Sequence, residues 1–318
     1  MSRGMSRARS RVVHAVLITT AVLTLLPFLF MVNNVFRDNT EFYHSFFAFP
    51  DSFKGVVTVL GQYAGGDETR VIVKDSDGSK REVNRSAALG HYVDRIGTGP
   101  QRAWDVLRQY MINTFIVSGL SALGVCLLGS ATAYILARYR FFGSRSVFLL
   151  FLATMMFPGV LTLVPSFLLV KELGLLNTYW SMILPYVAAG QVFAIFVFRS
   201  FFAGLSEELF ESARIDGAGH WGLYWHIVLP LSRPVFSVVI IMNILGTWNN
   251  FLWPFIVNTD GAHHVISSGL FTLANSAHAS NLSTMFAAYA ISSIPLLLLF
   301  VYATKTFIRG MTAGSLKA

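Results

Sequence analysis

Residues 207–234 read EELFESARIDGAGHWGLYWHIVLPLSRP. This polar, amphipathic stretch lies between two apolar runs, about Trp180–Phe198 and Val235–Val257, each close to the ~20 residues that cross a bilayer. It predicts two short helices with a break between them. Ser206 is placed to cap the first, Glu207 and Glu208 sit at its positive end, and Gly217 supplies the turn that ends it. Trp221, Tyr224, Trp225 and Val228 follow at i, i+3, i+4 and i+7, the spacing of one aromatic stripe on a helix, and Pro230 is expected to stop that helix. On pattern alone, an interfacial amphipathic helix linking two spans is an equal reading.

Away from this stretch the chain is apolar. With 54% hydrophobic and 13% charged residues and a mean hydropathy of +0.58, it is too poorly charged to cover a soluble globule and reads as a polytopic membrane protein. The net charge of +8 does not imply nucleic acid, because the basic residues stand at the ends of apolar runs, where topology accounts for them. The single cysteine, Cys126, lies inside such a run, so neither a disulfide nor a thiol metal site is available.

The first apolar run, Val12–Val32, follows Arg3, Arg7, Arg9 and Arg11. Phe28-Leu29-Phe30-Met31 offers no small-residue cleavage site, so the run is expected to stay as a first helix with the N-terminus in the cytoplasm. Residues 33–110 then change in character: Asn33–Gln109 carries ten of the sixteen acidic residues and is expected to be a small extracytoplasmic insertion. Val71 and Val73 alternate with polar neighbours, Asp75-Ser76-Asp77-Gly78 can turn, and Val83 continues, which predicts a hairpin rather than a calcium loop. Five further runs, about Met111–Ala137, Val147–Val170, Trp180–Phe198, Val235–Val257 and Thr284–Thr304, complete six spans in a core at 111–305. Arg138, Arg140 and Arg145 mark one inner loop, and Arg199, Arg214 and Arg233 lie in or beside the next. Lys305, Arg309 and Lys317 close a cytoplasmic tail at 306–318. Both termini and the loop at 200–234 are therefore expected in the cytoplasm.

Several chemistries lack residues to carry them. No Asp or Glu falls within the six proposed spans, which disfavours an ion-coupled secondary transporter. There is no G-x-x-x-x-G-K-[ST] sequence, no nucleophile elbow and no H-E-x-x-H pair, so neither ATP binding by this chain nor a membrane-embedded enzyme has support. His263-His264 and His278 share one loop without a carboxylate cluster and read as solvated histidines rather than a metal site. Pro27, Pro158, Pro165, Pro185, Pro254 and Pro295 predict kinked spans, sharpest at Met155–Gly159. Asn243, Thr247, Asn250 and Pro254 fall at i, i+4, i+7 and i+11 of the fifth run. That polar face predicts either a translocation path or helix-helix contacts.

Glu211-Ser212-Ala213, the Asp216-Gly217 pair and Ile227-Val228-Leu229-Pro230 resemble the EAA loop of permease subunits of ABC importers, whose pattern is E-A-A, three residues, G, nine residues, I-x-L-P. Only Ser212 departs from it, where the family has Ala. The ending Gly310–Ala318 and the segment Trp248–Pro254 resemble the maltose-type "G" subunit. That resemblance implies an all-α, six-span type I permease fold, with Glu211, Ser212, Ala213, Asp216, Gly217, Ile227, Leu229 and Pro230 in a cytoplasmic coupling helix. It implies partners: a second, homologous permease subunit, two ATP-binding-cassette subunits that hold the ATP and Mg, an extracytoplasmic solute-binding protein, and membrane lipid. No cofactor is expected on this chain. The implied cargo is a sugar or oligosaccharide imported across the inner membrane, with glycerol-3-phosphate as the nearest alternative. The loop Asn258–Ser283 is expected, by the same resemblance, to reach the binding protein.

Overall fold

The computed structural model describes residues 7–63, 70–74, 79–276 and 281–315. The expected turn at Asp75–Gly78, His278 and the last three residues lie outside them. Helices account for nearly all of the described elements, and the one sheet among the described residues is two-stranded. The chain divides into two compact units, Met1–Leu107 with Leu270–Ser293, and Arg108–Gly269 with Ile294–Ala318.

In the first unit, α1 (Arg7–Val35) has no distinct polar face beyond its basic first turns, and it is exposed along nearly all of its length, only Asn34 and Val35 at its C-terminal end being buried. A helix of that kind is made to meet lipid or another helix rather than water. Where α1 ends, Arg37 turns inward and is 1% exposed. Its guanidinium donates to Asn34 Oδ1 at 3.0 Å, to the Phe46 carbonyl at 2.9 Å, to the Glu41 carbonyl at 2.5 Å and to the Ser45 carbonyl. One buried cation thus ties together carbonyls of a tight turn, adding charge-assisted bonds to the backbone N–H bonds that the Glu41 and Ser45 carbonyls already accept. Asp38 caps α2 (Asn39–His44), accepting from the Glu41 N–H at 2.9 Å. Arg95 bridges Asp38 and Glu41, the latter at 2.7 Å, while the other Glu41 oxygen accepts from the Asp51 N–H at 3.0 Å where α3 (Asp51–Tyr63) begins.

The hairpin forms as expected. Strand β1 (Val71–Lys74) pairs antiparallel with β2 (Lys80–Val83), Val71 opposite Val83. Val71 and Val73 pack with Val59, Ala88 and Tyr92 into a small core. The next helix, α4 (Arg85–Arg138), runs unbroken through the position near residue 110 where composition changes.

In the second unit, α5 (Ser144–Thr154) and α6 (Leu163–Glu172) are joined through Met155–Pro158 and a 3₁₀ turn at Gly159–Thr162, bent by 90°. The sharpest break thus falls where Pro158 predicted it. Helix α7 (Trp180–Ala203) crosses in one piece despite Pro185. The coupling stretch forms α8 (Glu207–Ile215), α9 (His220–Leu223), a π-helical turn at Tyr224–Val228 and α10 (Leu229–Leu231).

The fifth run is not one straight span. Helix α11 (Arg233–Asn249) ends where Asn250 takes an extended conformation, φ −76° and ψ 110°, and α12 (Leu252–Val257) starts afresh. Asn250 Oδ1 accepts from the Trp253 N–H at 3.2 Å, so its side chain caps the second piece and favours the break. Helices α13 (Ile266–Ala274) and α14 (Leu282–Ser315) end the chain.

Among the described residues four helices have the length and hydropathy of spans, Ser10–Val35, Arg85–Arg138, Trp180–Ala203 and Leu282–Thr304. Two bent pairs, Ser144–Thr154 with Gly159–Glu172 and His220–Leu231 with Arg233–Asn249, raise the number to six when each is one span.

Candidate functional site

The coupling stretch rests on a buried aromatic and aliphatic bed. Phe210, Leu223, Tyr224 and Val228 are each at most 4% exposed and pack with Phe198, Phe202, Ala133, Tyr134 and Val239 of α7, α4 and α11. Ala213, Ala218, Ile227 and Leu229 pack against the edge of that bed. Glu211, Ser212, Asp216, Gly217 and Pro230 face outward. Gly217 has φ +84°, the left-handed conformation that lets the chain reverse after α8, and the Ala218 N–H returns to the Ala213 carbonyl at 2.9 Å. Leu209, Ile215, Trp221 and Trp225 are 45%, 86%, 72% and 53% exposed. Large apolar side chains gathered on so polar a stretch mark a surface made for a partner.

Three expectations for this stretch are corrected. Ser206 occupies the N-cap position of α8 but makes no side-chain cap bond; Glu207 instead pairs with Arg138 at 2.8 Å and Arg214 at 3.2 Å. The expected aromatic stripe splits, because the wider π turn sends Tyr224 and Val228 inward and leaves Trp221 and Trp225 outside. Pro230 does not stop the helix. The helix His220–Leu231 runs one residue past it, and the break comes at Ser232, before Pro234, with a 75° bend.

Sequence pattern missed how the C-terminal end of α4 grips this stretch. Arg138 pairs with Glu207, donates to the Leu205 carbonyl at 2.6 Å and lies 4.0 Å over the Phe210 ring. Tyr139 OH bonds His220 Nδ1, and Ser130 Oγ meets Tyr224 OH at 2.6 Å. These partners are 67 to 94 residues apart in sequence, so no local periodicity could have joined them.

Deeper in the same unit, Asn243, Thr247 and Asn250 line one cavity of about 450 Å³ with Tyr186, Gly190 and Phe193. Pro254 does not line it, since the break at Asn250 takes α12 out of the register of α11. Thr247 Oγ1 lies 2.9 Å from Ser118 Oγ on α4 and 3.1 Å from the Asn243 carbonyl, so its hydroxyl joins helices. The two sequence readings of this face therefore divide between residues: Thr247 serves as contact, whereas Asn243 Oδ1 is buried without a hydrogen-bond partner.

The loop histidines differ from expectation. His263 Nδ1 lies 3.2 Å from Asp260 Oδ2, so a carboxylate partner is present. His264 is buried at 6% exposed, and burial lowers its pKa from 6.5 with Asp260 partly opposing. Among the described residues no group of His, Cys, Asp or Glu could hold a metal.

Comparison with known proteins matches residues 100–313 to the family described as binding-protein-dependent transport system inner membrane component. The diacetylchitobiose uptake system permease protein NgcG of Streptomyces coelicolor is 30% identical over 305 residues, 96% of this chain and 88% of that protein. The sn-glycerol-3-phosphate transport system permease protein UgpE of Yersinia pestis is 29% identical over 202 residues, 63% of this chain and 71% of that protein. In fold, the chain resembles one in the crystal structure of a bacterial ABC transporter involved in the import of the acidic polysaccharide alginate. The TM-score is 0.68 at 18% identity, covering 96% of this chain and all of that one.

Proposed function

We propose that this chain, which belongs to the family of binding-protein-dependent transport system inner membrane components, carries a sugar or oligosaccharide across the cell membrane. In this reading it is one of two homologous permease subunits. It binds no nucleotide itself; two ATPase subunits hold the ATP and Mg and drive the cycle, and a solute-binding protein delivers the cargo outside. The insertion at 33–110 lies outside the cytoplasmic membrane, and both termini and residues 200–234 lie inside.

The observation that carries the coupling role is the platform just described. Glu211 and Ser212 face outward on a short helix anchored by Phe210, with Asp216 at its C-terminal cap and exposed Ile215 and Trp221 beside them, and Gly217 turns the chain so that this surface projects. A small Ser212 lets a partner surface approach, and the Glu211 carboxylate gives it a charge to meet. A partly buried ion pair across that contact would lose several kcal/mol on charge reversal. Glu211→Lys is therefore expected to leave the subunit in the membrane while uncoupling ATP hydrolysis from uptake, measured side by side in reconstituted complexes. Wild-type uptake and wild-type stimulation by the loaded binding protein would withdraw the coupling assignment.

The sugar cargo follows from the oligosaccharide names carried by relatives and from the absence of charge around the cavity at Asn243. Glycerol-3-phosphate is the alternative, since UgpE is also a relative.

A further inference from the structure

Resting on the proposed import function, we infer that Tyr186 and Asn243 form a hydroxyl-recognition site, on this chain's wall of the path, that accepts neutral sugars and rejects solutes bearing phosphate or carboxylate. Both residues line the 450 Å³ cavity, a size within the range of ligand sites. The Tyr186 hydroxyl oxygen and Asn243 Oδ1 are each buried with no hydrogen-bond partner. Buried polar groups are nearly always paired and an unmet one is costly, so two on one cavity wall mark where an entering ligand completes the pairing.

The pairing on offer suits a sugar. Asn243 Oδ1 accepts from a hydroxyl, the Tyr186 phenol donates to one or accepts from one, and the Tyr186 and Phe193 rings give the apolar faces against which a pyranose ring lies. Gly190 is part of the construction. A Cβ there would stand 2.6 Å from Val125 Cγ2 and 3.0 Å from Asn243 Nδ2, so any larger residue would clash with Val125 and crowd the amide. No lining residue is charged, so a phosphate or carboxylate entering this cavity would give up part of its hydration without a cation to replace it.

The test uses the whole importer with its own binding protein in proteoliposomes. The neutral probes are radiolabelled maltose, cellobiose and N,N′-diacetylchitobiose; the charged probes are sn-glycerol-3-phosphate and trimannuronate. The expected result is uptake of at least one neutral probe and of neither charged one. Tyr186→Phe, which removes one oxygen and keeps the ring, should raise KM for the neutral probe about fivefold, as loss of one hydrogen bond predicts. Asn243→Leu should do so at least as strongly. Uptake of a charged probe, failure of every neutral probe, or a wild-type KM in Tyr186→Phe overturns the inference, and the phenylalanine variant decides it even where Asn243→Leu does not assemble. Stimulation of ATP hydrolysis by the loaded binding protein, measured on the wild type in the same liposomes, reports the import function separately. Its absence overturns that function, and its presence beside a failed probe pattern overturns only the hydroxyl site.

Discussion

Gly217 and His264 show how single positions constrain this protein. At φ +84° Gly217 occupies backbone space that costs an L side chain about 1–2 kcal/mol, and a Cβ built there meets nothing within 4 Å. Gly217→Val should therefore act through the backbone alone: the turn after α8 relaxes, α9 and its Tyr139–His220 bond shift, and uptake falls while membrane abundance holds. Immunoblots beside uptake assays check it. His264 makes a pH prediction. Burial lowers its folded pKa below the ordinary 6.5, so below pH 6.5 the unfolded chain binds more protons than the folded one and stability falls with acidification. Asp260 opposes the shift, while the neighbouring Tyr110 and His263 complete its surroundings. The apparent Tm of the purified complex should drop between pH 7.5 and 5.5, and His264→Gln should lessen the drop. An equal drop in the variant would assign the pH dependence to other groups.

At the scale of elements, what was legible in the sequence followed local chemistry. Alternating Val71 and Val73 announced the hairpin, Pro158 the 90° bend, and Gly217 the end of α8. The π turn at Tyr224–Val228 was not legible, because the spacing of Trp221, Tyr224, Trp225 and Val228 suits an α-helix equally well. What selects the wider turn is tertiary: Tyr224 inserts beside Tyr134 and reaches Ser130. The break at Asn250 escaped notice because an apolar run gives no sign of an amide capping the helix that follows it. Of the proposed site, the outward loop residues were readable from the motif and the Asn243 face from its period; Tyr186 was hidden in an apolar helix.

The grip of α4 on the coupling stretch makes the prediction at this scale. Arg138 has a side chain only 8% exposed, whereas Glu207 is 53% exposed, so the ion pair alone is worth about 1 kcal/mol or less. The contact over Phe210 and the bond to Leu205 add to it. Arg138→Met should lower apparent Tm and loosen coupling, whereas Glu207→Gln should change either far less. Equal losses in both variants would show that the exposed pair, rather than the buried guanidinium, holds the two elements together.

For the whole molecule, the order of crossings decides which surfaces meet which partners. Counting from a cytoplasmic N-terminus, Tyr43 follows one crossing, α1. Ile215 follows α1, α4, the α5–α6 pair and α7, which is four when the bent pair spans and three when it re-enters. An even count puts Ile215 opposite Tyr43, in the cytoplasm where an ATPase could reach it; an odd count puts both outside. The 90° bend admits either course on length and composition alone. The proposed coupling role requires the even count, since nucleotide is available only inside. Tyr43 and Ile215 are 77% and 86% exposed, and the one native thiol, Cys126, is buried, so background labelling should be low. In intact cells a membrane-impermeant maleimide should modify Tyr43→Cys and spare Ile215→Cys, and in inverted vesicles stripped of the ATPase subunits the pattern should reverse. Labelling of Ile215→Cys from outside would make the α5–α6 pair re-entrant, turn the surface around Glu211 away from the cytoplasm, and remove the coupling assignment with it.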